Sequence, residues 1–292
     1  MKHTALLLIV LLLFGCFSGC TAQPTADIAA TTLPVYTFTS HLCRGTPLTV
    51  TQLVTESVSC LHDYTLQVGQ MRAIQGAKAV IINGAGLEEF MEDALHDAET
   101  VIDASQSLAL MEGNHDHGHD HDHGHTHEED PHIWLSPENA KIMAHNICHG
   151  LEERFPQYAE IFEENLQSLE SELDALQAYG QQTLSSLSCR ELITFHDGFS
   201  YFAESFGLTI LMAVEEESGS EASAAQLAEL CRLVEEHHLP AIFTETNGSL
   251  SAAKIIARET GATLYSLDMI MSGDDYFTLM YRNIDTIKEA LQ

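Results

Sequence analysis

The sequence predicts an α/β protein of two lobes, each built on a parallel sheet, joined by one long helix. Two observations carry that prediction. Short apolar strands alternate with helical patterns in both halves of the chain, which is the sequence form of βαβ units. Between the halves, residues 157–187 keep Ile161, Leu166, Leu169, Leu173 and Leu176 at helical spacing with Glu between them. A helix of about thirty residues at 1.5 Å rise would be ~45 Å long and could run the length of a two-lobe molecule.

In chain order, residues 46–54 alternate and are rich in Thr and Val, a strand signal. Residues 79–82 form a short apolar strand closed by Asn83-Gly84-Ala85-Gly86, followed by a helix over 87–98 and a strand at Val101-Ile102. After the connector come a strand over 191–194, a helix over 199–206 and a strand over 208–214. Leu227, Leu230, Leu233 and Val234 mark a helix over 223–236. A strand over 240–244, a helix over 250–260 closed by Gly261, a strand over 263–267 and a helix over 275–291 complete the chain. The resulting division is 21–156 for the first lobe, 157–187 for the connector and 188–292 for the second lobe. Two shorter helices broken near Gly180 are the alternative for the connector.

Residues 1–20 read as an export signal. Lys2 and His3 precede an apolar run of ten residues, 5–14, too short for the ~20 that span a bilayer. Phe17-Ser18-Gly19-Cys20 resembles a lipobox, which makes Cys20 the expected acylation site. Cys16 after Leu13-Phe14-Gly15 is the alternative, and a plain signal peptide a third reading. The mature chain is therefore expected on the extracytoplasmic face of a bacterial membrane, held by lipid only. Disulfides are permitted there. Five cysteines remain, Cys43, Cys60, Cys148, Cys189 and Cys231, and Cys43 with Cys60 is the first pairing to expect. No Cys-x-x-Cys points to a thiolate zinc knuckle.

The 292-residue chain carries 12 Lys+Arg against 43 Asp+Glu, a formal charge of −31. That excludes an ordinary nucleic-acid partner, since a phosphate backbone needs basic side chains, and a polybasic membrane patch. Hydrophobic residues make up 45 %, enough for a globular core. Histidine is the other outlier, with 17. Seven of these, His115, His117, His119, His121, His123, His125 and His127, alternate with Asp, Gly and Thr in one polar tract with nothing to bury.

Four residues place a metal-ligand side chain at a strand end or in a loop: His62, His132, His196 and Asp268, separated by 70, 64 and 72 residues. Ligands of open α/β sheets bind outside the carboxyl ends of strands. Three imidazoles and a carboxylate suit tetrahedral Zn²⁺, or Mn²⁺ with added oxygen donors. An isolated His in such a place also serves as a structural hydrogen-bonding group.

The motifs around these residues resemble those of the metal-binding lipoproteins of bacterial zinc and manganese ABC importers, the cluster A-I solute-binding proteins of zinc type. His62-Asp63-Tyr64, Val80 through Glu88, Asp130-Pro131-His132-Ile133-Trp134-Leu135-Ser136-Pro137, His196-Asp197-Gly198-Phe199 and Leu267-Asp268 occur in family order. Glu217 through Ser223 resembles a family loop, and Phe243-Thr244-Glu245 a family strand. The resemblance implies a rigid connecting helix and a metal site in the cleft between the lobes, with His62, His132, His196 and Asp268 as ligands. It implies delivery of the ion to a membrane permease with a cytoplasmic ATPase, no enzymatic activity, and a protein expected to act as a monomer. Some family members are adhesins. Some zinc members carry Glu before the first His, where this chain has Leu61. The His tract, placed as in zinc-type members, favours Zn²⁺ over Mn²⁺ and suggests an auxiliary capture role or a dispensable tract.

A zinc hydrolase is the rival of another class. It would need an open coordination position, and no His-Glu-x-x-His is present. Asp63 and Asp197 are candidates to orient the neighbouring His residues. Glu245 is read as facing the cleft or binding a loop. His145 and His149, at i and i+4 on a helix, are read as surface residues, and His237-His238 as a helix-end pair. Trp134 and Tyr201 are read as packing. Gly84-Ala85-Gly86 lacks the third Gly of a dinucleotide fingerprint.

Overall fold

The structure, a computed structural model, describes residues 26–56, 61, 64–113, 129–215, 223–246 and 250–292. Two four-stranded parallel sheets organise it. The first comprises β1 (Ile28–Ala30), β2 (Val50–Gln52), β3 (Ala79–Ile82) and β4 (Val101–Asp103), in the order β2-β1-β3-β4. The second comprises β5 (Glu191–His196), β6 (Thr209–Glu215), β7 (Ala241–Glu245) and β8 (Thr263–Leu267), in the order β6-β5-β7-β8. Every strand pair is parallel, with Ile28 beside Ala79 and Thr194 beside Phe243 in the central pairings. The two-lobe α/β class expected from the sequence is the one observed.

The helices of the first half are α1 (Leu33–Leu42), α2 (Val68–Gly76), α3 (Glu92–His96) and α4 (Pro137–Arg154). The sequence reading missed the β1–α1 unit. A strand of Ile and two Ala carries almost no signal, and its identity comes from lying between β2 and β3. α4 begins by rule, with Pro137 at its first position and Ser136 Oγ accepting from Asn139 N. The segment after Asn83 winds first as a 3₁₀ turn, Glu89–Met91, and only then as α3, where one helix over 87–98 was expected.

The connector is α5 (Ala159–Leu184), one helix of 26 residues or about 39 Å. It does not break at Gly180. A Cβ there would collide with the ring of Phe206, so the glycine admits a close-packed aromatic and leaves the helix intact. Leu166, Leu169, Leu173 and Leu176 are buried, each worth about 2 kcal/mol by transfer. Glu163, Glu164, Glu172 and Asp174 face solvent on the other side.

The second half adds α6 (Ser200–Phe206), α7 (Ala224–Glu236), α8 (Ser251–Thr260) and α9 (Tyr276–Leu291). Ser223 and Asp275 cap α7 and α9, and Gly261 at φ +81° ends α8. α5 packs on α4, α1 and α9, so it touches elements of both halves. The main core is continuous through it and holds Phe38, Trp134, Leu173 and Tyr276 together. Phe38 meets Tyr276 edge-on at 4.9 Å between centroids. Two smaller cores lie elsewhere, one around Ile193, Ile242 and Ile256, the other around Leu53, Ile74 and Val80.

No described helix is long and apolar enough to cross a membrane. Cys43 is a buried free thiol whose pKa burial pushes up to about 12. Cys43 caps α1 from within the main core, and Cys60 lies outside the described residues.

Candidate metal centre

Two of the four expected ligands meet. His196 is the last residue of β5, and His132 directly precedes a 3₁₀ turn, Ile133–Leu135. Both are buried, at 3 % and 7 % exposure. Their Nε2 atoms lie 3.2 Å apart, with the rings perpendicular. Each imidazole has a carboxylate on its other nitrogen. His132 Nδ1 is 2.8 Å from Asp130 Oδ1, which also accepts from the His132 backbone N–H at 2.9 Å. His196 Nδ1 lies 2.9 Å from Glu245 Oε1 at the end of β7, close enough for an ion pair but not aligned as a hydrogen bond. An ionised carboxylate can only accept, so Asp130 favours the proton on His132 Nδ1, and His132 Nε2 is left as the acceptor that His196 Nε2 can meet as donor at 3.2 Å. This is the carboxylate–histidine arrangement that orients metal ligands.

The pair is close-packed from behind. A Cβ at Gly198 would meet His196 Cδ2 at 2.7 Å, His132 Cε1 at 3.0 Å and Met269 Cε at 2.6 Å. Charge is unbalanced there. Asp130 and Glu245 are both buried, neither pairs with a Lys or Arg among the described residues, and Glu245 Oε2 has no hydrogen-bond partner. Two buried carboxylates with no Lys or Arg partner among the described residues, flanking two imidazoles, suit a cation.

Asp268 follows β8. Its backbone N–H donates to Asn283 Oδ1 and its carbonyl accepts from Asn283 Nδ2, at 2.9 and 2.8 Å. Asp268 Oδ1 accepts from Ile270 N at 2.7 Å, and Thr246 Oγ1, one residue past Glu245, lies 3.5 Å from Oδ2. Ile270 is held at φ +62°, a strained conformation for a β-branched residue. The same loop is tied to the first half: Trp134 Nε1 donates to Met269 O at 2.8 Å and Leu33 N to Met271 O at 3.0 Å. Tyr276 Oη donates back to Trp134 O at 2.7 Å.

His62, the seven tract histidines from His115 to His127, and Cys20 lie outside the described residues. The tract's flanks do lie within them. Asp130 N donates to Met111 O, and Glu112 bridges Glu129 antiparallel, so the two ends meet near His132.

The family model for ZnuA, the periplasmic component A of zinc-uptake complexes, matches residues 28–290. The chain belongs to that family. Zinc-binding lipoprotein AdcA of Streptococcus pneumoniae is 28 % identical over 99 % of this chain, which spans 61 % of that relative's length. A crystal structure of ZnuA superposes with TM-score 0.79 at 29 % identity, covering 91 % of this chain and all of that one. The Zn(II)-bound ZnuA-like domain of S. pneumoniae AdcA gives TM-score 0.76 at 26 % identity, over 91 % and 99 %. ZnuA-family members are metal-binding transport proteins and not enzymes.

Several sequence readings change against this site. The described carboxylates on the histidines are Asp130 and Glu245. Asp130 stood inside a recognised motif without a role, although an Asp two residues before a His, separated by Pro, is a turn that can bind its own backbone. Trp134 and Tyr201 do more than pack, since each makes a buried polar bond. His145 pairs with Glu170 at 2.7 Å, in keeping with a surface role, and His237 caps α7 while its Nδ1 lies 2.9 Å from Glu191. Among the described residues one metal-capable trio, Cys148, Glu152 and Glu163, joins α4 to α5. Burial, with both carboxylates adding to it, pushes the Cys148 thiol up to about 12.

Proposed function

We propose that this chain is the extracytoplasmic receptor of a zinc ABC importer, and that it binds Zn²⁺ with His62, His132, His196 and Asp268. It passes the ion to a membrane permease driven by a cytoplasmic ATPase, acts as a monomer, and is held to the membrane through Cys20. Its lobes are 21–156 and 188–292, with 157–187 as the rigid strut between them.

The observation that carries this reading is the His132–His196 pair. Zn–N bonds of 2.0–2.1 Å at a tetrahedral angle place two nitrogens about 3.3 Å apart, against 3.2 Å between these Nε2 atoms. Asp130 orients His132 through its far nitrogen, Glu245 stands 2.9 Å from the far nitrogen of His196, and a dication offsets their buried charge. Imidazole-rich donors suit Zn²⁺ better than Mn²⁺, and a relative that this chain resembles over most of its length is solved with Zn(II). Tract residues His115 to His127 serve as auxiliary, weaker capture sites.

Competition titration of the mature protein lacking residues 115–127 tests the metal and the site separately. Zn²⁺ is expected to bind more tightly than Mn²⁺, and the reverse order overturns the metal assignment. His132→Ala is expected to abolish tight Zn²⁺ binding while circular dichroism stays that of the parent. Unchanged affinity overturns the site.

A further inference from the structure

The stretch from Val80 to Glu88 holds no expected ligand, yet its polar groups are among the most deeply buried in the molecule: Asn83 at 0 % and Glu88 at 4 % exposure. Glu88 Oε1 accepts from Thr31 Oγ1 at 2.6 Å and from Asn83 N at 2.7 Å, and Oε2 accepts from Gly84 N at 3.0 Å. These three bonds fix the turn after β3. Asn83 then points its amide elsewhere. Nδ2 donates to Gly84 O at 3.1 Å and to Pro131 O at 3.0 Å. Two carbonyl acceptors decide which end of that amide is the NH₂.

A second donor comes from the other sheet's side. Tyr201, on α6 and 2 % exposed, donates from Oη to Asp130 O at 3.0 Å and accepts from Met111 N at 2.8 Å. The two consecutive carbonyls before His132 are therefore each held by one buried side chain, from opposite halves of the chain. The Asp130 carboxylate in turn grips His132 through both its backbone N–H and its Nδ1.

We propose that Asn83, backed by Glu88, and Tyr201 are positioning residues for His132, clamping the Asp130-Pro131 peptides so that the ring presents Nε2 to the ion. Rotation of either peptide would swing Asp130 and the imidazole it holds, and a displaced supporting group typically weakens metal binding 10- to 100-fold. The proposal builds on the reading of His132 as a ligand, but it makes a claim about the metal-free protein that stands apart from it.

The test uses Tyr201→Phe and Asn83→Ala in the mature chain. Tyr201→Phe keeps the buried ring and its packing, so it remains informative if Asn83→Ala does not fold. Nitrogen-15 NMR of the imidazoles in the metal-free proteins, assigned with His132→Gln, reads the His132 ring directly. Wild type is expected to show a single His132 tautomer with the proton on Nδ1. Each variant is expected to shift or broaden those signals while a surface ring such as His145 stays unchanged. Zn²⁺ affinity is expected to fall about tenfold for each variant, and the visible spectrum of the Co²⁺-loaded protein to change. Wild-type His132 signals in a folded Tyr201→Phe protein overturn the proposal, whatever the zinc affinity. Altered signals with unchanged zinc affinity support the clamp and count instead against His132 as a ligand.

Discussion

Gly198→Ala probes the metal centre without touching a ligand. The backbone at Gly198 is not in the left-handed region, so alanine is conformationally allowed and the whole effect falls on space. Carbon atoms pack at ~3.5–4.0 Å. The new methyl would sit 2.7 Å from His196 Cδ2 and 3.0 Å from His132 Cε1. About 0.8 Å must open at the first ring and about 0.5 Å at the second, relative to the 3.5 Å limit. Met269 Cε, at 2.6 Å, is the end of a flexible side chain and can move aside. The rings have less freedom, because both are buried and Asp130 hydrogen-bonds the far nitrogen of His132. Displacing the Nε2 atoms from their 3.2 Å separation spoils a spacing within about 0.1 Å of the tetrahedral value. Zn²⁺ affinity is expected to weaken 10- to 100-fold, about 1.4–2.8 kcal/mol. Overpacking should destabilise the metal-free protein by about 1–3 kcal/mol. Chelator competition gives the first quantity and urea unfolding the second. Zinc affinity within twofold of the parent, in a protein destabilised as expected, would refute the idea that the pair binds the ion.

Glu245→Gln keeps the size of the side chain but removes the charge behind His196, and should weaken Zn²⁺ about tenfold in the same titration, with little change in circular dichroism. Gly180→Ala should do the opposite: its methyl strikes the ring of Phe206 and neither imidazole, so urea unfolding should show a loss of about 1–3 kcal/mol with unchanged zinc affinity. Glu88 gives a pH signature. Burial pushes its carboxyl up to about 7 against an ordinary 4.5, despite the hydrogen bonds from Thr31, Asn83 and Gly84 that pull it down. A folded value above the unfolded one means that the folded state keeps a proton the unfolded chain releases. Its contribution is complete below pH ~4.5 and is lost as pH rises through about 7, a span of about 3 kcal/mol. Unfolding of metal-free protein at pH 5 and 8 should show this decline in wild type relative to Glu88→Gln, and equal slopes would count against it.

The second half was legible almost element by element. Its strands are five to seven residues long, and its helices carry Ser223, Asp275 and Gly261 at their ends, all local signals. The first half was less so, because β1, β2 and β4 are three residues each, too short for periodicity to show. The connector's length was readable from its Leu spacing. Its single-helix form was readable too, but the reason for a glycine inside it was not, since the partner that explains it, Phe206, lies 26 residues on.

The sequence alone determined the class of the fold, the acidic and histidine-rich character of the chain, and the identity of His132, His196 and Asp268 as candidates. These follow from local pattern and residue chemistry, and motifs in fixed order preserve both. Only the tertiary structure decided what surrounds them. That Asp130 and Glu245 sit on the far nitrogens, that Gly198 leaves room for two rings, and that Trp134 reaches across to Met269, a separation of 135 residues, are facts of distance in space. A charge or hydrogen bond acts over a few ångströms, and which groups come that close is fixed by the packing of two sheets and a helix, not by their order along the chain.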